Sequence, residues 1–188
     1  FQIQGPRLYF NGTGPAPVSG TPTTEVSNIL TGPYNNLGVP GAKSFHLVAP
    51  GYGNVAGVAS GASNPYFVRF ASSPGTTVLA DAVAQSPTFF SLWIGNNDVL
   101  SYATSGGTGT NQLGNLDPAT YGGNDITDPN VFASVYSTLV NELTANGAKG
   151  VVANIPYVTS VPFFTTVPTN PIPGLLKSFL DASPKFSS

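Results

Sequence analysis

The sequence predicts an α/β domain in which helices cover both faces of a mostly parallel sheet, in three α/β/α layers. Three observations predict it. A nearly continuous run of aromatic and β-branched residues, Thr88–Ile94, is bounded by Pro87 and Gly95. That is the pattern of a strand buried on both faces. A long amphipathic helix pattern runs from Pro129 to Gly147, and a second apolar run, Gly150–Ile155, follows and stops at Pro156. Strand, helix, strand in this order is a βαβ unit, with a right-handed crossover and parallel strands.

Taken in order, residues 1–65 are rich in Gly, Pro, Thr and Asn, and read as loop with one short strand. Short apolar runs such as Leu8-Tyr9-Phe10 interrupt them. A loop of this length carries function or belongs with a partner segment. The opening Phe1-Gln2-Ile3-Gln4 has no starting Met and no signal peptide, so the expectation is a mature or trimmed product, or part of a longer chain. Over Thr76–Gln85, Val78, Leu79, Ala82 and Val83 recur at helical spacing, and Pro87 closes the helix. The strand Thr88–Ile94 follows, then a loop over residues 101–127. Thr127 or Asp128 can cap the next helix, and Pro129 suits its first turn. Phe132, Val135, Tyr136, Leu139, Val140 and Leu143 form its apolar face, and Gly147 stands where a helix end favours a left-handed residue. After the strand Gly150–Ile155 and Pro171-Ile172-Pro173, Gly174–Leu180 reads as a short amphipathic helix. The expected organisation is one domain over residues 1–188: a loop-rich part (1–65), a βαβ core (75–165) and a tail (166–188). No strand pattern follows the tail, so the sheet is expected to be incomplete or completed by another chain.

Composition excludes several classes. Only 7% of residues are charged, against roughly 25% in an average soluble domain. The 22 Gly and 18 Pro imply many turns, while 12 Phe and 8 Tyr supply apolar surface that disordered chains lack. The net charge is −2, and Arg7, Lys43, Arg69, Lys149, Lys177 and Lys185 are scattered, so no basic patch offers itself to nucleic acid. No apolar run reaches the roughly 18 residues that span a bilayer. Cys and Met are absent, which removes disulfides, thiolate metal sites and a cysteine nucleophile. Low charge with abundant Ser, Thr, Asn and Gly suits an exported protein.

The chemistry-bearing residues lie just past the strands, where open α/β sheets place their sites. Phe89–Asp98 reads FFSLWIGNND, with G-x-N-D directly after the first buried strand. Upstream, Asn36–Ala42 reads NLGVPGA, an Asn/Gly turn. In order and separation, these two segments resemble the third and second conserved blocks of the SGNH (GDSL) hydrolases. Residues 31–165 look like the bacterial, secreted, lipase-like branch of that family, found in Bacteroidetes-type bacteria. The resemblance implies ester hydrolysis through a Ser nucleophile, with Gly41 N–H and the Asn97 side-chain amide as oxyanion-hole donors, and it implies no cofactor. Such donors must point at the oxygen that becomes negative in the transition state. Glycine suits a close approach because it has no Cβ, and Asn is a neutral N–H donor.

Plainer uses compete for the same residues. Gly38 and Gly41 serve equally as turn glycines flanking Pro40. Asn97 could cap a helix that begins near Asp98, and Asp98 reads better as a cap or loop brace than as a catalytic acid. The chain also departs from the family. No G-D-S-L-like block precedes Asn36: Ser19 and Ser27 do not follow a strand in the required way. The D-x-x-H block is missing too, because Asp181-Ala182-Ser183-Pro184 carries Pro in place of His. His46, the only histidine, lies five residues beyond Gly41, and packing beside the turn fits it better than general-base work. Tyr34, Phe45, Tyr52, Tyr66, Phe67 and Phe70 suit ordinary core more than an acyl groove. Asp117, Asp125 and Asp128 lack the spacing of a calcium loop and suit caps and turns. Two functions follow: an ester hydrolase of a small-molecule or lipid ester, whose Ser and His come from sequence outside these residues, or a non-catalytic exported surface component built on a hydrolase-like core.

Overall fold

Among the residues described by the computed structural model, which are 7–20, 26, 28–161 and 164, four strands and four α-helices form. The chain divides into two compact units, Phe1–Asn154 and Ile155–Ser188. The first begins with an antiparallel hairpin of β1 (Leu8–Phe10) and β2 (Pro15–Pro17), in register Leu8↔Pro17. Proline is tolerated there because the pair has no further neighbour to receive its missing N–H. Beyond the hairpin, residues 28–64 form 3-10 turns at Ser44–Val48 and Val55–Gly57 rather than open loop.

Helix α1 (Pro65–Val68) is a single turn capped by Asn64. Helix α2 (Val78–Ala84) is capped by Thr77, whose hydroxyl accepts from the Ala80 N–H at 3.0 Å. Strand β3 (Phe89–Leu92) follows, then α3 (Asn96–Thr104). The expected loop 101–127 is corrected here: its first four residues belong to α3. The local pattern NNDVLSYAT is too polar to mark the extent of the helix, and Gly95, with φ 117°, stands at the cap position in place of Asn97, without a capping side chain. Helix α4 (Pro129–Thr144) is the long amphipathic helix, capped by Asp128, which accepts from Asn130 N (2.7 Å) and Val131 N (3.2 Å). Gly147 follows at φ 82°.

Strand β4 (Lys149–Val152) then pairs with β3 in parallel, in register Phe89↔Lys149 to Leu92↔Val152. The βαβ unit is therefore present, and the architecture is mixed α/β. The parallel sheet has these two strands among the described residues. Leu92 turns inward, buried with Leu139 of α4, Val78 of α2, and Ala42, Leu47, Tyr52 and Phe67. The opposite sheet surface is open: Phe89 is 62% exposed and Val151 56%. Gly150 lets β4 pass the Phe90 ring, which would lie 2.4 Å from any Cβ there.

In the second unit, Val158–Ser160 forms a 3-10 turn. The expected helix Gly174–Leu180, the segment Asp181–Pro184, and Ser27 all lie outside the described residues. No helix among the described residues is long and apolar enough to cross a membrane.

Candidate functional site

The two sequence blocks meet at the carboxyl end of β3. Asn97 occupies the first turn of α3, and its Nδ2 donates to the Ala42 carbonyl at 2.9 Å, across 55 positions of sequence. One of its two amide hydrogens is used in this way. Gly41 immediately precedes Ala42, is exposed, and has φ 78°, a left-handed conformation that side chains other than glycine's rarely adopt. Apart from its chain neighbours, no atom of the described residues lies within 4 Å of where a Cβ would stand. The Gly41 N–H takes no hydrogen-bond partner among the described residues. Ala42 N bonds back to Val39 O at 3.2 Å, which closes the turn around Pro40.

Asp98, 3% exposed, ties the same blocks together. Its Oδ2 accepts from Ser44 N at 2.9 Å and its Oδ1 from Ser44 Oγ at 2.6 Å. The expected brace role of Asp98 is thus the one observed. Neighbouring Lys43, 4% exposed, reaches the Asp125 carbonyl with Nζ at 2.6 Å. Burial pushes the Lys43 pKa down, and the carboxylates of Asp98 and Asp125 pull against that shift. Thr127 N donates to the Asp98 carbonyl at 3.1 Å, so the segment before α4 clasps both blocks.

Ser44, His46 and Asp98 are the residue types of a serine-hydrolase triad, and they lie close together. Their geometry does not perform that chemistry. Ser44 is fully buried and donates directly to Asp98 rather than to an imidazole. His46 Nδ1 accepts from Lys43 N at 3.0 Å, and the ring stacks on Tyr52 with centroids 4.4 Å apart and planes 11° apart. Burial first, and then the charge of Lys43, lower its pKa to about 4. An imidazole with so little affinity for protons is a poor base near neutral pH. His46 packs beside the turn, as its position in the sequence suggests.

The aromatic residues form a continuous core ladder. Tyr34 contacts Phe70, Phe70 contacts Phe67, Phe67 contacts Tyr52, and His46 and Phe45 link onward to Tyr121. Tyr66 stands outside it, 38% exposed. The three acids of the 115–130 region act as caps and turn braces. Asp117 accepts from Ala119 N at 3.1 Å. Asp125 accepts from Thr110 N, Gln112 Nε2 and Gly122 N at 2.6–2.7 Å, and these bonds, led by that from Thr110, lower its pKa. Asp128 adds Gly114 N at 2.8 Å to its helix cap. No group of three or more His, Cys, Asp or Glu among the described residues is placed to hold a metal ion.

Beside Asn97 lies a cavity of about 210 Å³. Leu37, Val39 and Leu47 line it from the turn side, Val78, Leu79 and Ala82 from α2, Leu92 from β3, and Leu139 and Leu143 from α4. Asn96 and Asn97 supply its polar side chains. A wider depression of about 650 Å³ lies between residues 29–35 and 70–72; Leu37 of the upstream block lines it too, but no residue of the G-x-N-D block does. Its carboxylate, Asp81, is committed to Ser72 and Thr76. The convergence of two motif blocks therefore singles out the smaller cavity as the candidate site.

Ser44 and Lys43 are the site residues that sequence reasoning missed. A single Ser in KSF and a single scattered Lys carry no local signal, and their partners are 54 and 82 positions away. Comparison of the chain with protein-family models, with curated proteins and with solved structures gives no match.

Proposed function

We propose that this chain is the oxyanion-hole portion of a secreted bacterial carboxylic-ester hydrolase of the SGNH type, acting on a small-molecule or lipid ester. The observation that carries the proposal is the hydrogen bond from Asn97 Nδ2 to Ala42 O, which joins Gly41 and Asn97 at the carboxyl end of a parallel strand. Gly41 N–H and the second Asn97 amide hydrogen are the donors that would receive the developing oxyanion. The Ser and His come from a segment outside these 188 residues. Attack by that Ser forms a tetrahedral intermediate, the leaving alcohol departs with a proton from the His, and water hydrolyses the acyl-enzyme.

Among the described residues β3 pairs with β4 alone, and its other edge supports delivery of the nucleophile there. Thr88 and Leu92 bond to β4 through their carbonyls, so the main-chain groups of Phe89, Ser91 and Trp93 face the other way. The aliphatic cavity lies between Leu92, at the end of β3, and Asn97, which suits an apolar segment ending beside Asn97. The test is hydrolysis of p-nitrophenyl esters by the gene product that contains the nucleophile, with and without Asn97→Ala. Loss of one such donor lowers kcat by about 10²–10³. Unchanged kcat in Asn97→Ala sinks the assignment.

A second reading, a non-catalytic surface or assembly component, is favoured by the open sheet face, where Phe89 is 62% and Val151 56% exposed. A monomeric solution mass with no bound partner counts against it.

A further inference from the structure

We propose that Asp98 is a positioning residue for the paired donors, holding Gly41 through Ser44 and Asn97 through the first turn of α3. Its catalytic consequence rests on the ester-hydrolase reading. Its structural claim does not.

An acid in the third position of a helix ordinarily serves the helix itself, by favouring the positive end of the dipole or accepting from the first N–H groups. Both carboxylate oxygens of Asp98 instead leave α3 and bond Ser44, at 2.9 and 2.6 Å. Ser44 and Gly41 belong to the same short stretch, and Ala42 between them receives the Asn97 amide at 2.9 Å. Three hydrogen bonds, two of them to one carboxylate, thus span two segments more than 50 positions apart. Asp98 and Ser44 are 3% and 0% exposed, so water does not compete for these bonds. A donor that must meet a developing charge is effective only where its direction is fixed beforehand. The Asn97 amide would otherwise rotate about a broad side-chain torsion.

The test uses this chain, with Asp98→Asn and Ser44→Ala, and Asp81→Asn as the control. Asp81 receives a similar set of bonds, from Ser72 N, Ser72 Oγ and Thr76 Oγ1, none of them in either block. The readout is exchange of the Asn97 side-chain amide hydrogens by NMR. Asn at position 98 keeps one acceptor and turns a donor toward Ser44, so exchange should accelerate at least about tenfold. Ser44→Ala, which keeps the main-chain bond, should accelerate it less. Asp81→Asn should leave it unchanged. Should Asp98→Asn fail to fold, Ser44→Ala alone carries the comparison. Unaltered exchange in Ser44→Ala and in any folded Asp98→Asn, or an equal effect from Asp81→Asn, overturns the proposal. In the gene product that contains the nucleophile, Asp98→Asn should lower kcat about 10–100-fold with KM changed less than twofold. Faster amide exchange without ester turnover in any form keeps the positioning role and rejects the hydrolase reading.

Discussion

Replacing His46 by Asn should flatten the acid limb of the stability profile. In the folded chain His46 is kept neutral by burial and by Lys43, with a pKa of about 4 against an ordinary 6.5. Between those values the unfolded chain binds a proton that the folded chain does not, so stability rises with pH across the window. The contribution is complete above pH 6.5, declines as pH falls through the window, and is lost below about pH 4. At about 1.36 kcal/mol per pH unit the full difference is about 3 kcal/mol, of which about 2 to 2.5 kcal/mol is gone by pH 4.5. Asn is a fair substitute because its Oδ1 can stand near the Nδ1 that accepts from Lys43 N. Carboxylates also take up protons near the acid end, but they do so equally in both proteins and cancel in the comparison. Urea unfolding at pH 7.5, 5.5 and 4.5 measures it. The parent should lose about 2 kcal/mol relative to the variant between the first and last. A constant difference across pH, or an NMR titration of His46 with a midpoint near 6.5, refutes the reasoning.

Other substitutions test the packing around the site. Leu139→Ala should cost about 3–5 kcal/mol, in the upper part of the range for Leu, because Leu139 is 2% exposed and the existing cavity beside it prevents collapse; denaturant unfolding reads it. Gly53→Ala should destabilise by about 1–3 kcal/mol in thermal unfolding, since its Cβ would lie 2.6 Å from that of Ala71 and 3.0 Å from the Phe67 ring. Thr77→Ala should cost about 1 kcal/mol through the lost cap of α2, and Thr77→Ser should restore most of it.

Those elements whose cause is local were legible in the sequence. Asp128 and Pro129 followed by apolar residues at three- and four-residue steps specify α4, because both cap and period lie within the helix. β3 and β4 were visible as apolar runs broken by Pro and Gly, and the helix between them made their pairing parallel. Thr77 and Val78–Ala84 behaved similarly. Elements whose cause is distant were not legible. Ser44–Val48 turns where it does because Asp98, far along the chain, holds Ser44, and because His46 stacks on Tyr52. Lys43 looked like one more scattered cation, yet it is buried against Asp125. α3 was foreseen only as a helix beginning near Asp98, and its run to Thr104 was not, because Asn96–Thr104 carries few apolar residues; it is fixed by the bonds of Asn97 and Asp98 to the turn and of Thr127 to Asp98. Gly41 and Asn97 were named from motif blocks, and the structure brings their segments together by a bond that no spacing rule foretells.

An oxyanion-hole portion of an ester hydrolase, as proposed for this chain, requires a nucleophilic Ser on another segment. The most direct measurement is labelling of the purified gene product with a serine-directed fluorophosphonate, followed by intact mass analysis of every chain and mapping of the modified residue. The expected result is a single label on a Ser outside these 188 residues, lost when that Ser is replaced. A label on a Ser within them, or no label while the probe modifies a control esterase, contradicts it.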